Sequence, residues 1–398
     1  MEQTLSYVLV TPYTIAKSRT GGVLSRLISR AELELVGCQM ITFNEAFTGE
    51  FAGHLRKQNL TNDITLLADY VEQNLGPSGG REHRSLLLLF RGEDPCGKLA
   101  AICGHLYPEH REVDDVTGET IRGTYADLIT DPKDPKKVTY FEPAVITSRN
   151  QDWADKDLAL FARFLKGREN IVNNLQHPDP SKVEQTLVIL KPDNWQYASS
   201  KPGIIIDMFS RTGLRIVGIK IHRFSLAQTL DFYGPVEVAL REKLAPVFGK
   251  KARELLETEF GIVLDDHIEK ALSDSFGVRY SRDQFDQIIE FMSGTRTGKC
   301  PPEEISQPGT VKCMILLYEG ENAVKKIRDV LGPTDPLKAP GGTVRREFGS
   351  NVMINTAHAS DSAASAEREK GIVKINENSL GSIIDAYLAV RKQGIYGA

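Results

Sequence analysis

What the chain lacks narrows its class before any motif is read. Its five cysteines, Cys38, Cys96, Cys103, Cys300 and Cys313, form no CxxC pair and are odd in number. That argues against a disulfide framework or a zinc site and fits a reducing cytosol. Charge of one sign is also lacking: 49 Lys and Arg against 53 Asp and Glu leave a formal net charge of −4. A protein without a broad basic field or a basic, aromatic-rich motif is not expected to bind nucleic acid. Long hydrophobic runs are missing too. SLLLLF at Ser85–Phe90 falls far short of the roughly 20 apolar residues that span a bilayer. The N-terminal MEQTLSYVLVTPY has neither the basic start nor the apolar stretch of a secretory leader. A soluble, cytoplasmic protein with no membrane contact is expected. What is present is ordinary: 398 residues, 41% hydrophobic and 26% charged, enough for two domains with proper cores.

The order of segments occurs twice. LSYVLVTPY, the amphipathic VLSRLISRAEL and LELVGCQMITF read as strand, helix, strand. A polar helical region, the strand SLLLLF, the helical GEDPCGKLAAICGHL and a polar loop to about Lys137 follow. VTYFEPAVITS then reads as a last strand and NQDWADKDLALFARFLKG as a helix. After QHPDPSK, a proline-bearing linker, TLVILKP matches YVLVTP, and LLYEGENAVKKIRDVLG matches LLFRGEDPCGKLAAICG without a gap. A repeat of nearly half the chain indicates a doubled domain rather than a solenoid. The expected fold is α+β, two tandem ferredoxin-like βαββαβ domains. The boundaries fall at 1–176 and 184–398, with the linker at 177–183 and an insertion at about 234–280. The insertion carries two amphipathic runs, VEVALREKLAPVF and KKARELLETEF.

One stretch carries chemistry. NVMINTAHASDSAASAERE, Asn351–Glu369, leads from apolar residues through His358 to capping residues, Ser360 and Asp361, and strong helix formers. His358 is expected on the turn between strand and helix. Glu369 is within reach to orient the imidazole for nucleophilic attack. Taken alone, the bland reading is the stronger: one of eight histidines ends a strand. SGTRTGKC, Ser293–Cys300, imitates a phosphate-binding loop. Its glycine spacing is one residue short, Cys300 replaces the metal-binding hydroxyl, and a plain loop is expected.

The second half resembles the nucleoside diphosphate kinases. The resemblance rests on LKPD at Leu190–Asp193, EGENAVKKIRDVLGPTDP at Glu319–Pro336, PGGTVRREFG at Pro340–Gly349 and NTAHASDSAASAERE at Asn355–Glu369. It implies transfer of the γ-phosphate of a nucleoside triphosphate to a nucleoside diphosphate by ping-pong chemistry, with Mg²⁺ held mainly by phosphates and water. His358 would be the phosphorylated nucleophile, Glu369 its orienter and Ser360 its neighbour. Lys191 and Arg345 would hold phosphate oxygens, with Arg328, Thr334 and Asn355 completing the cradle and Tyr233 near the γ-phosphate. Val352 would face one side of the base, and Gln284 or Phe285 the other. A nest of Arg, Lys, Thr and Asn suits a polyanion where no phosphate-binding loop exists. Ala359 departs from the family glycine, and the loop after Asp193 is long.

Laid on the second half, the first places Thr11 at Lys191, Ala100 at Arg328, Arg149 at His358 and Arg122 at Arg345. An arginine cannot attack phosphorus, so the first half is expected to be non-catalytic and to pair with the second as an internal pseudo-dimer. Chains so built would associate further as homo-oligomers. The competing reading is a nucleotide-binding regulatory or scaffolding protein with little turnover.

Overall fold

The computed structural model describes residues 3–58, 62–106, 118–173 and 175–395. The first half runs β1 (Thr4–Val10), α1 (Pro12–Ala16), α2 (Thr20–Arg30), β2 (Glu34–Thr42), α3 (Glu45–Lys57), α4 (Asn62–Asn74), β3 (Arg84–Gly92), α5 (Pro95–Cys103) and α6 (Ile121–Tyr125). A hairpin follows, β4 (Asp127–Asp131) and β5 (Asp134–Glu142), then β6 (Val145–Ile146) and α7 (Gln151–Leu165). The second half runs β7 (Val183–Leu190), α8 (Lys201–Ser210), β8 (Arg215–His222), α9 (Leu226–Phe260), α10 (Asp266–Leu272) and α11 (Val278–Ser293). It closes with β9 (Cys313–Glu321), α12 (Ala323–Leu331), α13 (Val344–Phe348), β10 (Ala357–Ala359), α14 (Ala363–Val373) and α15 (Leu380–Ile395).

Each half forms its own four-stranded sheet, ordered β2-β3-β1-β6 and β8-β9-β7-β10. The expected α+β, doubled ferredoxin-like fold is therefore what the chain adopts. The central strands are buried on both faces, β1 throughout, as expected of continuous apolar runs. Local signals start the helices: Asn44 accepts from Phe47 N at the start of α3, and Asn150 from Asp152 N and Trp153 N at the start of α7. Ser225 and Gln228 close a full capping box on α9.

Contacts divide the chain into two compact units. The first comprises residues 1–221, 314–370 and 374–398, and so holds both sheets; the second comprises 222–313 and 371–373. Within the first unit α2 of the first half packs on α8 of the second. There a Cβ on Gly21 would lie 2.2 Å from the Gly203 carbonyl oxygen, and one on Gly203 equally close to that of Gly21. Only glycine lets the two backbones approach so closely. Helix α15 packs along α7, burying Leu380 and Ile384 in the cluster that holds Tyr7, Phe51 and Phe161. The second unit is the helical crossover from β8 to β9, the counterpart of α3 and α4 between β2 and β3.

Three local expectations change. VTYFEPAVITS is two strands in two sheets, β5 and β6. Pro143 offers no N–H for a ladder, and Ala144 turns the chain at φ +62°. The polar loop before Lys137 lies partly outside the described residues, and its last part is the β4–β5 hairpin. The two amphipathic runs of the insertion are one helix, α9, with Pro235 and Pro246 inside it. SGTRTGKC follows α11, whose end Gly294 caps at φ +81°, and Arg296 there pairs with Asp283 and Glu290. It follows a helix rather than opening one.

Candidate active site

His358 sits inside β10 rather than on a turn, opposite Ile189 of β7. Pairing in the sheet fixes its backbone, and the residue just ahead of the strand pays for the entry angle: Thr356, fully buried, is held at φ +76°. That conformation is an outlier for a β-branched residue. The Thr356 carbonyl accepts from Lys191 N at 3.0 Å and from Asn194 Nδ2 at 2.7 Å, which holds the strained residue in place.

The imidazole Nε2 lies 3.0 Å from both Oε1 and Oε2 of Glu369. The Glu369 carboxylate, itself almost buried, accepts from Ser360 Oγ at 2.7 Å. Ser360, Glu369 and His358 thus form one chain of hydrogen bonds, and a ring N–H pointing at a carboxylate fixes the tautomer. Ser360 was expected to cap the following helix. Instead Ser362 caps α14, accepting from Ser365 N, and Ser360 turns inward to the carboxylate. Asp361 accepts from the Ser365 hydroxyl, and that bond, more than any other contact, holds its carboxyl below the ordinary carboxylate range.

Basic residues gather beside this chain. Lys191 Nζ donates to Asn355 Oδ1 at 2.7 Å. Asn355, 2% exposed, donates from Nδ2 to the carbonyls of Thr334 at 3.1 Å and Val352 at 2.7 Å. It aims the lysine and ties three loops together. Thr334 and Val352 enter the network through their backbones, and the Val352 side chain is exposed. Arg345 donates from Nη1 to Gly332 O at 2.9 Å and from Nη2 to Ala357 O at 3.0 Å, so it abuts the residue before His358. Arg328 is exposed on α12 and faces a cleft of about 430 Å³ with Asp361 and Ser362. Tyr233 belongs to the second unit, where it is buried on α9 beside Phe232. Phe285 is buried at 4% in that unit's own packing, while Gln284 is half-buried. Among the expected residues, then, His358, Glu369, Ser360, Lys191, Asn355 and Arg345 converge.

One residue escaped the sequence reading. Asn194, 2% exposed, bonds both Lys191 O and Thr356 O through Nδ2. Its only signal is an asparagine following Pro-Asp at a strand end, a common turn pattern.

The strand registers correct the alignment of the halves. Arg122 repeats the Arg345 pattern, with Nη1 on Gly104 O and Nη2 on Val145 O. Ala144, at φ +62°, stands where Thr356 does at +76°. Ile146 pairs with Leu9 as His358 pairs with Ile189. The counterpart of His358 is therefore Ile146, not Arg149, which the sequence match misplaced by three residues because gaps in polar loops leave no periodic signal. Asp157 takes the place of Glu369; it is buried and accepts from Tyr7 OH at 2.9 Å.

Comparison with known proteins points to one family. The nucleoside diphosphate kinase family model matches residues 267–377. The nucleoside diphosphate kinase of Bdellovibrio bacteriovorus is 30% identical over 187 residues, 47% of this chain and 89% of that protein. That of Pyrobaculum aerophilum is 30% identical over 197 residues, 47% of this chain and 92% of the relative. A crystal structure of an NDP kinase from Pyrobaculum aerophilum aligns over 49% of this chain and all of that one, at 27% identity and a TM-score of 0.33. Its superposition is too loose to add to the sequence match. On the extent of that match, the chain belongs to the nucleoside diphosphate kinase family.

Proposed function

We propose that this protein is a nucleoside diphosphate kinase with one working centre per chain, acting through a phosphohistidine at His358. The observation that carries the reading is the Ser360–Glu369–His358 chain of hydrogen bonds. With Nε2–H held by Glu369, attack comes from Nδ1. In the first half-reaction the Nδ1–P bond forms as the bond from the γ-phosphorus to the β,γ-bridging oxygen breaks, and the nucleoside diphosphate leaves. In the second, a terminal oxygen of an acceptor diphosphate attacks the phosphorus and frees the imidazole. Charge accumulating on the equatorial oxygens calls for fixed donors, the role given to Lys191, with Arg328 toward the leaving diphosphate.

The basic donors around His358 suit a polyanion and not a bare divalent ion. Among the described residues no group of three or more His, Cys, Asp or Glu side chains is placed to hold a metal. Mg²⁺ therefore fits as a companion of the nucleotide, offsetting charge on its phosphate oxygens. No helix among the described residues is long and apolar enough to cross a membrane.

The first half is read as non-catalytic. Ile146 cannot accept a phosphoryl group, and Thr11 and Ala100 replace two cationic positions. Its role in this reading is to pair with the second half as an internal pseudo-dimer. Incubation with γ-labelled ATP, followed by a chase with mixed nucleoside diphosphates, tests the reading. An acid-labile, alkali-stable label that moves to the diphosphates is expected, and His358→Ala should abolish both. Nucleotide binding without label would instead favour a regulatory or scaffolding protein, and normal transfer by His358→Ala would end the assignment.

A further inference from the structure

A cavity of about 1000 Å³ in the first unit holds none of the residues around His358. Its walls come from both halves: residues 12–18 and 80–84 of the first, 175–178 of the linker region and 210–215 of the second. Three arginines line it, Arg81, Arg84 and Arg215, together with His83 and His177. Arg84 Nη1 donates to Ile216 O and Arg215 Nη1 to Gln176 O. Each thus has a carbonyl partner, and among the described residues none of the three arginines forms an ion pair. Nearby acidic groups include Glu82, in the wall, and Glu319, which His177 Nε2 approaches at 2.8 Å and Gln185 Nε2 at 2.9 Å and whose charge partly offsets that of Arg84; Asp207 shares a smaller adjoining pocket with Arg84.

Guanidinium groups in a partly desolvated wall normally meet carboxylates or phosphates. Burial, and next the like charge of Arg215, bring the Arg84 guanidinium down to about 10. The wall sets three guanidinium groups against one carboxylate, Glu82, and has an apolar side formed by Ile15, Leu175 and Leu214. Inorganic phosphate would leave most of this volume empty, whereas pockets of this size take a whole small molecule. We propose that the cavity binds a nucleoside diphosphate or a close relative, with phosphates on Arg81, Arg84 and Arg215 and the base and sugar against the apolar wall. Bound there, it would bridge the two halves and relieve the repulsion between Arg84 and Arg215.

Calorimetric titration of the full chain with ADP tests this independently of transfer at His358. The expected result is a binding event in the parent chain that is lost, or weakened at least tenfold, in Arg81→Glu/Arg215→Glu. His358→Ala should keep it. Among the described residues Arg81 makes no side-chain hydrogen bond, so Arg81→Glu alone, expected to weaken the same event, guards against misfolding of the double variant. Labelling at His358 should survive in both. ADP binding identical in the parent and both variants would overturn the proposal, and pyrophosphate binding as tightly as ADP would overturn its nucleoside part.

Discussion

At the scale of single residues, the proposed chemistry would depend on a carboxylate that is held before it holds. Ser360 fixes Glu369, and Glu369 fixes His358, so under that proposal the imidazole would lose little freedom when phosphate arrives. Replacing Glu369 by Gln keeps the shape and removes the charge that steadies the imidazolium character of the attacking ring. Phosphoenzyme formation should slow by roughly tenfold or more, as for other supports of a ligating or attacking histidine. Rapid-quench measurement with labelled ATP checks this, with melting temperature as the control for folding. Unchanged rates would make Glu369 a packing residue only.

At the scale of elements, the same strut appears twice. Arg122 and Arg345 each bind two backbone carbonyls where a helix end meets the last strand of a sheet. Removing Arg122 leaves buried acceptors unpaired, at about 1–3 kcal/mol each, and removing Arg345 leaves partly buried ones. Arg122→Ala should therefore lower stability by about 2 kcal/mol or more while folded molecules transfer phosphate normally. Arg345→Ala should lower both stability and transfer, because its strut touches the residue before His358. Urea unfolding and turnover measured on the same samples separate the two.

Helix α14, which carries Glu369, ends at Lys374 in the left-handed region, and Lys220 Nζ donates to its carbonyl at 2.8 Å. Lys220 is 7% exposed, and burial brings its ammonium down from 10.5 to about 8. Between those values the unfolded chain binds the extra proton, so this residue makes stability rise with pH from about 8 to 10.5. The full effect is at most about 3 kcal/mol. Buried Tyr7 and Tyr318, pushed up by burial, act in the opposite direction. The measurement is therefore a difference: the pH slope of unfolding free energy should be less positive in Lys220→Met than in the parent. Equal slopes would mean that Lys220 is not desolvated.

On the scale of the whole molecule, the halves share a core. Helices α2 and α8 meet at Gly21 and Gly203, and α15 of the second half covers α7 of the first. Gly203→Ala puts a methyl group where backbone already stands, which the helices accommodate only by separating. A loss of stability of about 2 kcal/mol or more is expected, in the range of overpacked cores. Differential scanning calorimetry should show the single transition of a shared core lowered or split. An unchanged melting curve would refute the pseudo-dimer as a stabilising arrangement.

The sequence by itself determined the repeated order of elements, the α+β class and the residues around His358. Buried strands are mostly apolar, caps are local, and motifs such as NTAHASDSAASAERE carry their spacing with them. It did not determine the register between the halves, because polar loops of unequal length separate the matching strands. Only hydrogen-bond pairing placed Ile146, not Arg149, at the position equivalent to His358. Nor did it show that Ser360 abandons its cap for Glu369, that Asn194 pins Thr356, or that Arg215 shares one cavity with Arg81 and Arg84 of a distant segment. Those depend on side chains brought together across the fold, and no local preference along the chain encodes which of them will meet.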